Sequence, residues 1–376
     1  MKAPLRKFLI REGNGVREAD TLVLGTGMLV GETAGGLPEL LGVAGGEILL
    51  QPSGGDDTQA ISEALATGRD VRLAPGTFTI SSTVTLGSAG TGQRLIGSGA
   101  AQTVVQASAP MAAVVAIAFR DCAVERLRVR GGEAGIRAVG SGAVTLRDLH
   151  IHNSERGIHL ENVSGAEVSR VFIVFSPVGI YARSISRSTL RDVTVTQTWT
   201  GIQIENGTGV SCESIYTTGE DDMSPSGIAI SGGTDYRLSQ VQVENCQSPI
   251  ALVGATRASL ELLSLGFCNT GVLLDGTRDV TLSASRVWVS RNALVVRGCE
   301  DVVVGAFRSD NSLVTSPAPH VLVESSAGVF FTGIRIVKPS SSAYDVDVSL
   351  AGSRVLFGPH NIIPARINSG GNFAAL

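Results

Sequence analysis

A glycine followed by Ile or Val, with another apolar residue next but one, returns at a fixed interval through this 376-residue chain. It stands at Gly135 (GIRA), Gly157 (GIHL), Gly179 (GIYA) and Gly201 (GIQI), in steps of 22. A step of 26 leads to Gly227 (GIAI), steps of 22 lead to Pro249 (PIAL), Gly271 (GVLL) and Ala293 (ALVV), and a weaker copy at Pro319 follows after another 26. Two apolar ladders run in phase with it: Val124, Leu146, Val168, Leu190 and Cys212, and Leu127, Leu149, Val171, Val193 and Ile215, again 22 apart. Self-similarity of this kind belongs to chains that stack one supersecondary unit on the next.

Within each unit the apolar residues alternate, as in Leu149-His150-Ile151-His152 and Ile158-His159-Leu160-Glu161. A period of two puts one side of a strand inward and the other outward. The segments are short and separated by Gly, Ser, Asn and Asp, the residues of turns. Three strands and three turns fit one unit, and stacking pairs each strand with its copy about 4.8 Å away in the next coil. The expected architecture is all-β: a parallel β-helix, a solenoid of 22-residue coils. Left-handed hexapeptide coils lack this pattern, so the right-handed form is expected.

Composition narrows the function classes. Thirty basic residues against 34 acidic ones give a net charge of −4, which offers no basic field to nucleic acid or to an anionic membrane. No apolar run reaches the ~18 residues of a membrane-crossing helix. Only Phe8, Leu9 and Ile10 separate the basic start from the next charge, too little for a secretory signal core of at least ~7 residues. Synthesis in a host cytoplasm is therefore expected, with no signal peptide. Cys122, Cys212, Cys246, Cys268 and Cys299 form no zinc-type pair and no dense disulfide framework. Neither a metal nor a cofactor is expected.

An open solenoid end would template aggregation unless covered. In PSGGDDTQAISEALATG, Asp56 or Asp57 can cap a helix, Ala60, Ile61, Ala64 and Leu65 form its apolar stripe, and Gly68 ends it. This predicts a short N-terminal capping helix near 57–67. The succession SGGDDTQAISEAL, VRLAPGTFTI, TVTL and RLIGSG resembles the cap and first coils of the pectate-lyase-like right-handed parallel β-helix superfamily. That group includes polysaccharide lyases, polygalacturonase-type hydrolases and phage tailspikes or tail fibres, and this chain is closest in character to the last. The resemblance spans roughly residues 50–360. Residues 1–50 read as a separate leader, a possible attachment segment; 51–360 as the capped solenoid; 361–376 as a tail or second cap.

The repeat converts into a surface map. Two outward rows after each glycine run Arg137, His159, Tyr181, Gln203, Ala229, Ala251, Leu273, Val295 and Val139, Glu161, Arg183, Glu205, Ser231, Val253. The neighbouring strand contributes Arg128, His150, Phe172, Thr194, Tyr216 and Arg130, His152, Val174. Sugar sites combine an aromatic face with carboxylates and Arg. His159, Tyr181, Arg183, Trp199, Gln203 and Tyr216 are the candidate ligand-binding residues. Glu161, Glu205 and the loop acids Glu220, Asp221 and Asp222 are the candidate catalytic ones. Glu161–Arg183–Glu205 also reads as an alternating-charge ladder across strands. The two insertions, 218–227 and 308–320, fall at one corner, where loops on a solenoid carry function. The apolar row Ala229, Ala251, Val253, Leu273, Val295 reads as a buried contact between chains, and the resemblance implies a homotrimer.

The catalytic signatures of the polygalacturonase-type relatives are not assembled: GEDD supplies a carboxylate pair alone, and residues 335–338 read RIVK. The leading expectation is therefore a tail fibre or tailspike of a phage or phage-like particle that binds a host cell-surface polysaccharide. Its N-terminal region would engage a virion tail or baseplate protein, and its place would be the virion. The alternatives are a polysaccharide-degrading hydrolase or lyase on the same scaffold, and a structural virion component without a glycan ligand.

Overall fold

The computed structural model describes residues 46–358 except 91, 221–223, 311–318, 337–345 and 349–354; outside this span it describes only short strand backbones, and at 289, 290 and 346–348 no side chains. Strands follow one another around a coil and pair in parallel with their copies in the coils before and after, for about 13 turns. Ile136, Ile158, Ile180, Ile202, Ile228, Ile250, Val272 and Leu294 are successive register partners. These are the residues that follow the repeated glycine, so a sequence step of 22 or 26 is one rung of the structure.

Each coil has three faces. In one coil the first is 145–147, the second 149–152 and the third Arg156–Glu161. Inward side chains of all three meet in one continuous core of Val, Ile and Leu, most of them fully buried. Tight turns join the faces, and they stack as well. The first turn is a single left-handed residue: Asp148, Arg170, Asp192, Ser214, Gln240, Leu262 and Ala284 occupy it in successive coils, all with φ between 49° and 56°. Most of these residue types do not favour that conformation, which costs roughly 1–2 kcal/mol for a residue with a Cβ. The register of the coil above and below holds them there.

The recurring glycine opens the third face because a Cβ has no room. At Gly157 it would lie 2.6 Å from the Gly179 carbonyl oxygen and 2.6 Å from Ile173 Cγ2. The glycine thus lets the coils close to strand spacing beside the bulky core residue of the second face.

The expected helix is Thr58–Ala66, with Ile61, Ala64 and Leu65 buried. Its capping chemistry differs from the simple expectation. Asp57 stands at the N-cap position but makes no side-chain cap bond; its buried carboxylate accepts from the amides of Ser53 (2.8 Å) and Thr79 (3.0 Å). It is Asp56 that accepts from Thr58 N (3.0 Å). At the far end the buried Gln93 amide donates to the carbonyls of Leu65 (2.7 Å) and Arg69 (3.0 Å), which the sequence pattern did not reveal. All five cysteines are buried and none is in a disulfide.

At the termini, Leu40–Gly42 pairs antiparallel with Ile48–Leu50, which adds in parallel to Val71–Leu73. At the other end, Ile367–Asn368 and Phe373–Ala375 pair in parallel with Val346–Val348 and Val355–Phe357.

Two outcomes test this account. Gly157→Val should destabilise the protein by about 1–3 kcal/mol, the usual cost of overpacking, seen as a lower thermal midpoint in circular dichroism. Asp56 is held down to about 2 by hydrogen bonds from Ser81 and Thr58, and Asp235 to about 2 by Arg257 and Thr234. A depressed carboxyl stabilises the fold above its ordinary value of about 3.9 and loses that contribution as pH falls through its folded value. Stability should therefore fall between about pH 4 and pH 2, and the double variant Asp56→Asn/Asp235→Asn should fall less steeply there in acid unfolding.

Candidate functional site

The structure distributes the sequence-predicted residues over two faces and a corner. His159, Tyr181 and Gln203 are successive partners on the third face, and Glu161, Arg183 and Glu205 form the row beside them. Tyr216 lies on the second face, in register with Thr194. Trp199 sits at the corner between these faces.

Glu205 is the centre of the third-face group. The Tyr181 hydroxyl donates to its Oε2 at 3.0 Å and the Gln203 amide to its Oε1 at 2.8 Å, while Arg183 Nε stands 3.9 Å away. Burial and then the Glu205 charge push the Tyr181 hydroxyl upward in pKa, so it remains a hydrogen-bond donor. The Arg156 guanidinium lies over the Tyr181 ring, 5.0 Å from its centroid. His159 meets that ring edge-on at 5.1 Å and is only 8 % exposed. Burial, then Arg156 and Arg137, lower its pKa, against the opposing effect of Glu161, whose Oε2 is 3.6 Å from His159 Nε2. The imidazole is therefore a neutral packing partner beneath the tyrosine. Glu161 and Glu205 are two coils apart, about 9.6 Å at the strand spacing, with Arg183 between them.

Trp199 is 63 % exposed, although its backbone is fixed by a bond from its amide to Pro177 O (3.1 Å). The insertion above it is anchored at its feet: Glu220 N donates to Thr198 O (3.2 Å) and to Ser224 Oγ (3.1 Å). Glu220 itself is exposed, whereas Asp221 and Asp222 lie outside the described residues. Phe175, at the same corner one coil earlier, is also exposed. Tyr216 is half-buried, with its hydroxyl pushed up in pKa by burial and by Glu244.

The apolar outward row is in register as expected, but not evenly exposed. Ala251 and Val295 are 9 % and 5 % exposed within a single chain, because neighbouring side chains on the same face already cover them. Val253 is exposed and Leu273 half-buried.

Sequence reasoning missed a cavity of about 380 Å³ on the edge between the first and second faces. Arg126, Asp148, Arg170 and Asp192 line it from the left-handed turn row, and His150, Phe172 and Thr194 from the second face. His150 and Phe172 rings form its aromatic wall at 4.9 Å. Arg170 binds Asp148 through two nitrogens at 2.6 and 3.0 Å, which holds the Asp148 carboxyl below its usual range. The 22-residue spacing of these turn residues was the available signal. Strand alternation alone gave no reason to count a turn as a lining surface. Among the described residues no group of three His, Cys, Asp or Glu side chains is arranged to hold a metal ion, and no helix is long and apolar enough to cross a membrane.

Residues 112–261 match the family model described as right handed beta helix region. The fold is a right-handed parallel β-helix. The chain is similar to the A-module of mannuronan C-5 epimerase AlgE4 from Azotobacter vinelandii, with 15% identity and a TM-score of 0.58 over 86% of this chain and 96% of that one. It is similar to the pre-mature gene product 12 of bacteriophage phi29, with 13% identity and a TM-score of 0.55 over 84% of this chain and 55% of that one. PfbA, a surface adhesin of Streptococcus pneumoniae, has 12% identity and a TM-score of 0.52 over 77% of this chain and 90% of that one. At such identities the likeness is one of fold alone. No curated protein matches the sequence.

Proposed function

We propose that this β-helix is a tail fibre or tailspike of a phage or phage-like particle that binds a host cell-surface polysaccharide along its side. The observation that carries the reading is Trp199, a large aromatic ring held exposed on a rigid backbone. Beside it the third face presents the hydrogen-bonded group Tyr181, Gln203 and Glu205. A ring for the C–H side of a sugar and fixed polar groups for its hydroxyls are the parts of a glycan surface. The named relatives include a mannuronan epimerase, a phage protein and a surface adhesin, which supports a surface polysaccharide as the ligand and a virion as the setting. Residues 1–50 are the segment that would engage a virion tail or baseplate protein.

A second reading, a polysaccharide hydrolase, is favoured by Asp148 and Asp192 in one cavity. They are two coils apart, about 9.6 Å at the strand spacing, close to the upper end of the separation used by inverting glycosidases. Arg170 keeps Asp148 ionised, so Asp148 would be the base, with Asp192 the second carboxylate of the pair.

Trp199→Ala should weaken binding to purified host polysaccharide by about 1–2 kcal/mol, a five- to thirty-fold loss by calorimetry. Undiminished binding by that variant would remove the proposed site. Product analysis in the same samples separates the two readings, since a hydrolase releases new reducing ends and a binder leaves the chain intact.

Self-association as a homotrimer belongs to the first reading and rests on exposed Val253 and half-buried Leu273. Leu273→Arg would place an unpaired charge in that contact and should yield monomers in sedimentation, where the parent chain sediments as a trimer. A monodisperse parent monomer would refute the assembly.

A further inference from the structure

One block of the surface lacks the charge pairing found at several other places on the solenoid. Arg128 pairs in register with His150, and Arg130 with His152, on the outer side of the second face. Four basic side chains thus occupy a patch about 4.8 Å across the strands and about 6.6 Å along them. The coil before offers Val104 and Gln106 at the same positions, the coil after Phe172 and Val174, so no carboxylate stands within the block or beside it in these rows. By contrast, Asp148–Arg170, Asp235–Arg257 and Glu125–Arg147 are all closed pairs between adjacent coils.

The block also holds unused hydrogen-bonding capacity. Arg128 Nε, His150 Nδ1 and His152 Nε2 are buried and have no partner. The imidazole centroids are 5.9 Å apart. A buried polar nitrogen without a partner is destabilising, and three in one patch call for a common acceptor. At His150 the block opens into the cavity walled by Phe172, which gives a ligand a route to it.

We infer that this block is an oxyanion site: it receives a carboxylate, sulfate or phosphate substituent of a polysaccharide whose sugar ring lies over Phe172 and His150. The two guanidinium groups supply charge, and the imidazoles supply short-range donors. Arginine suits this task because its planar donors match an oxyanion. The inference deepens the polysaccharide reading by making the ligand acidic, and it rests on that reading for the polymer though not for the anion.

The test uses dextran, carboxymethyl-dextran and dextran sulfate, one backbone with no anion, a carboxylate or a sulfate. The full chain, labelled at its five histidines, is titrated with each at low salt and followed by NMR and calorimetry. The expected result is that at least one anionic polymer shifts the His150 and His152 resonances and binds at least ten-fold more tightly than dextran. Which polymer acts distinguishes carboxylate from sulfate. Arg128→Gln and, separately, the exposed Arg130→Gln should each weaken that binding several-fold, whereas Arg278→Gln, at a distant surface ion pair, should not. Unmoved His150 and His152 resonances with both polymers, or equal losses from Arg278→Gln and Arg128→Gln, would overturn the site. Trp199→Ala keeps the two proposals apart: a retained histidine response in that variant supports the oxyanion site even where the Trp199 surface fails, and an absent response in the parent overturns it even where Trp199 proves essential.

Discussion

In-register parallel hydrogen bonding between coils is the constraint on which the rest of this molecule depends. Each strand must meet its copy one coil away, so every coil needs the same face lengths and the same turn shapes. Conformations that a single residue would avoid become fixed by repetition. Arg170, Leu262 and Phe267 all have φ near 50–55°, and none is of a type that chooses the left-handed region. The extra residues of the longer coils fall in sequence between the second and third faces, and the ladder resumes beyond them.

The same constraint turns the surface into a grid. Residues 22 apart in sequence become neighbours across about 4.8 Å. Several charges use this to close pairs, such as Arg257 with Asp235 and Arg297 with Glu324. Exposed pairs of this kind are each worth only about 0–1 kcal/mol, so they tune the surface more than they hold the fold, which the Val, Ile and Leu core does. Against this background, places where pairing is incomplete or an aromatic ring stays in water make up the proposed binding surface: Trp199 and Phe175 at the corner, and the basic block around Arg128 and His152.

A solenoid suits the proposed polymer ligand, because the groups proposed to recognise it lie on a regular lattice. The cavity at the turn row, the third-face group around Glu205 and the exposed corner each contact a different side of the coil. A long polysaccharide can meet more than one of them, and multivalent contact raises avidity without new chemistry at any one site.

The sequence by itself determined the register. The 22-residue spacing told which residues would be partners, and alternation told which would point inward; the ladder from Ile136 to Leu294 and the outward row from Arg137 to Val295 are in the structure as read. It also located the capping helix, because an apolar stripe and a terminal glycine are local signals. Only the tertiary structure decided depth and pairing. Parity calls His159, Ala251 and Val295 outward, yet they are buried, because exposure depends on the reach of side chains 22 or 27 positions away in the neighbouring coils. The cavity at Asp148, Arg170 and Asp192 arose from backbone angles that the stack imposes. Gln93 closing the helix C-terminus and Tyr181 bound to Glu205 are contacts between coils, made by side-chain length and direction, which a period in the sequence does not carry.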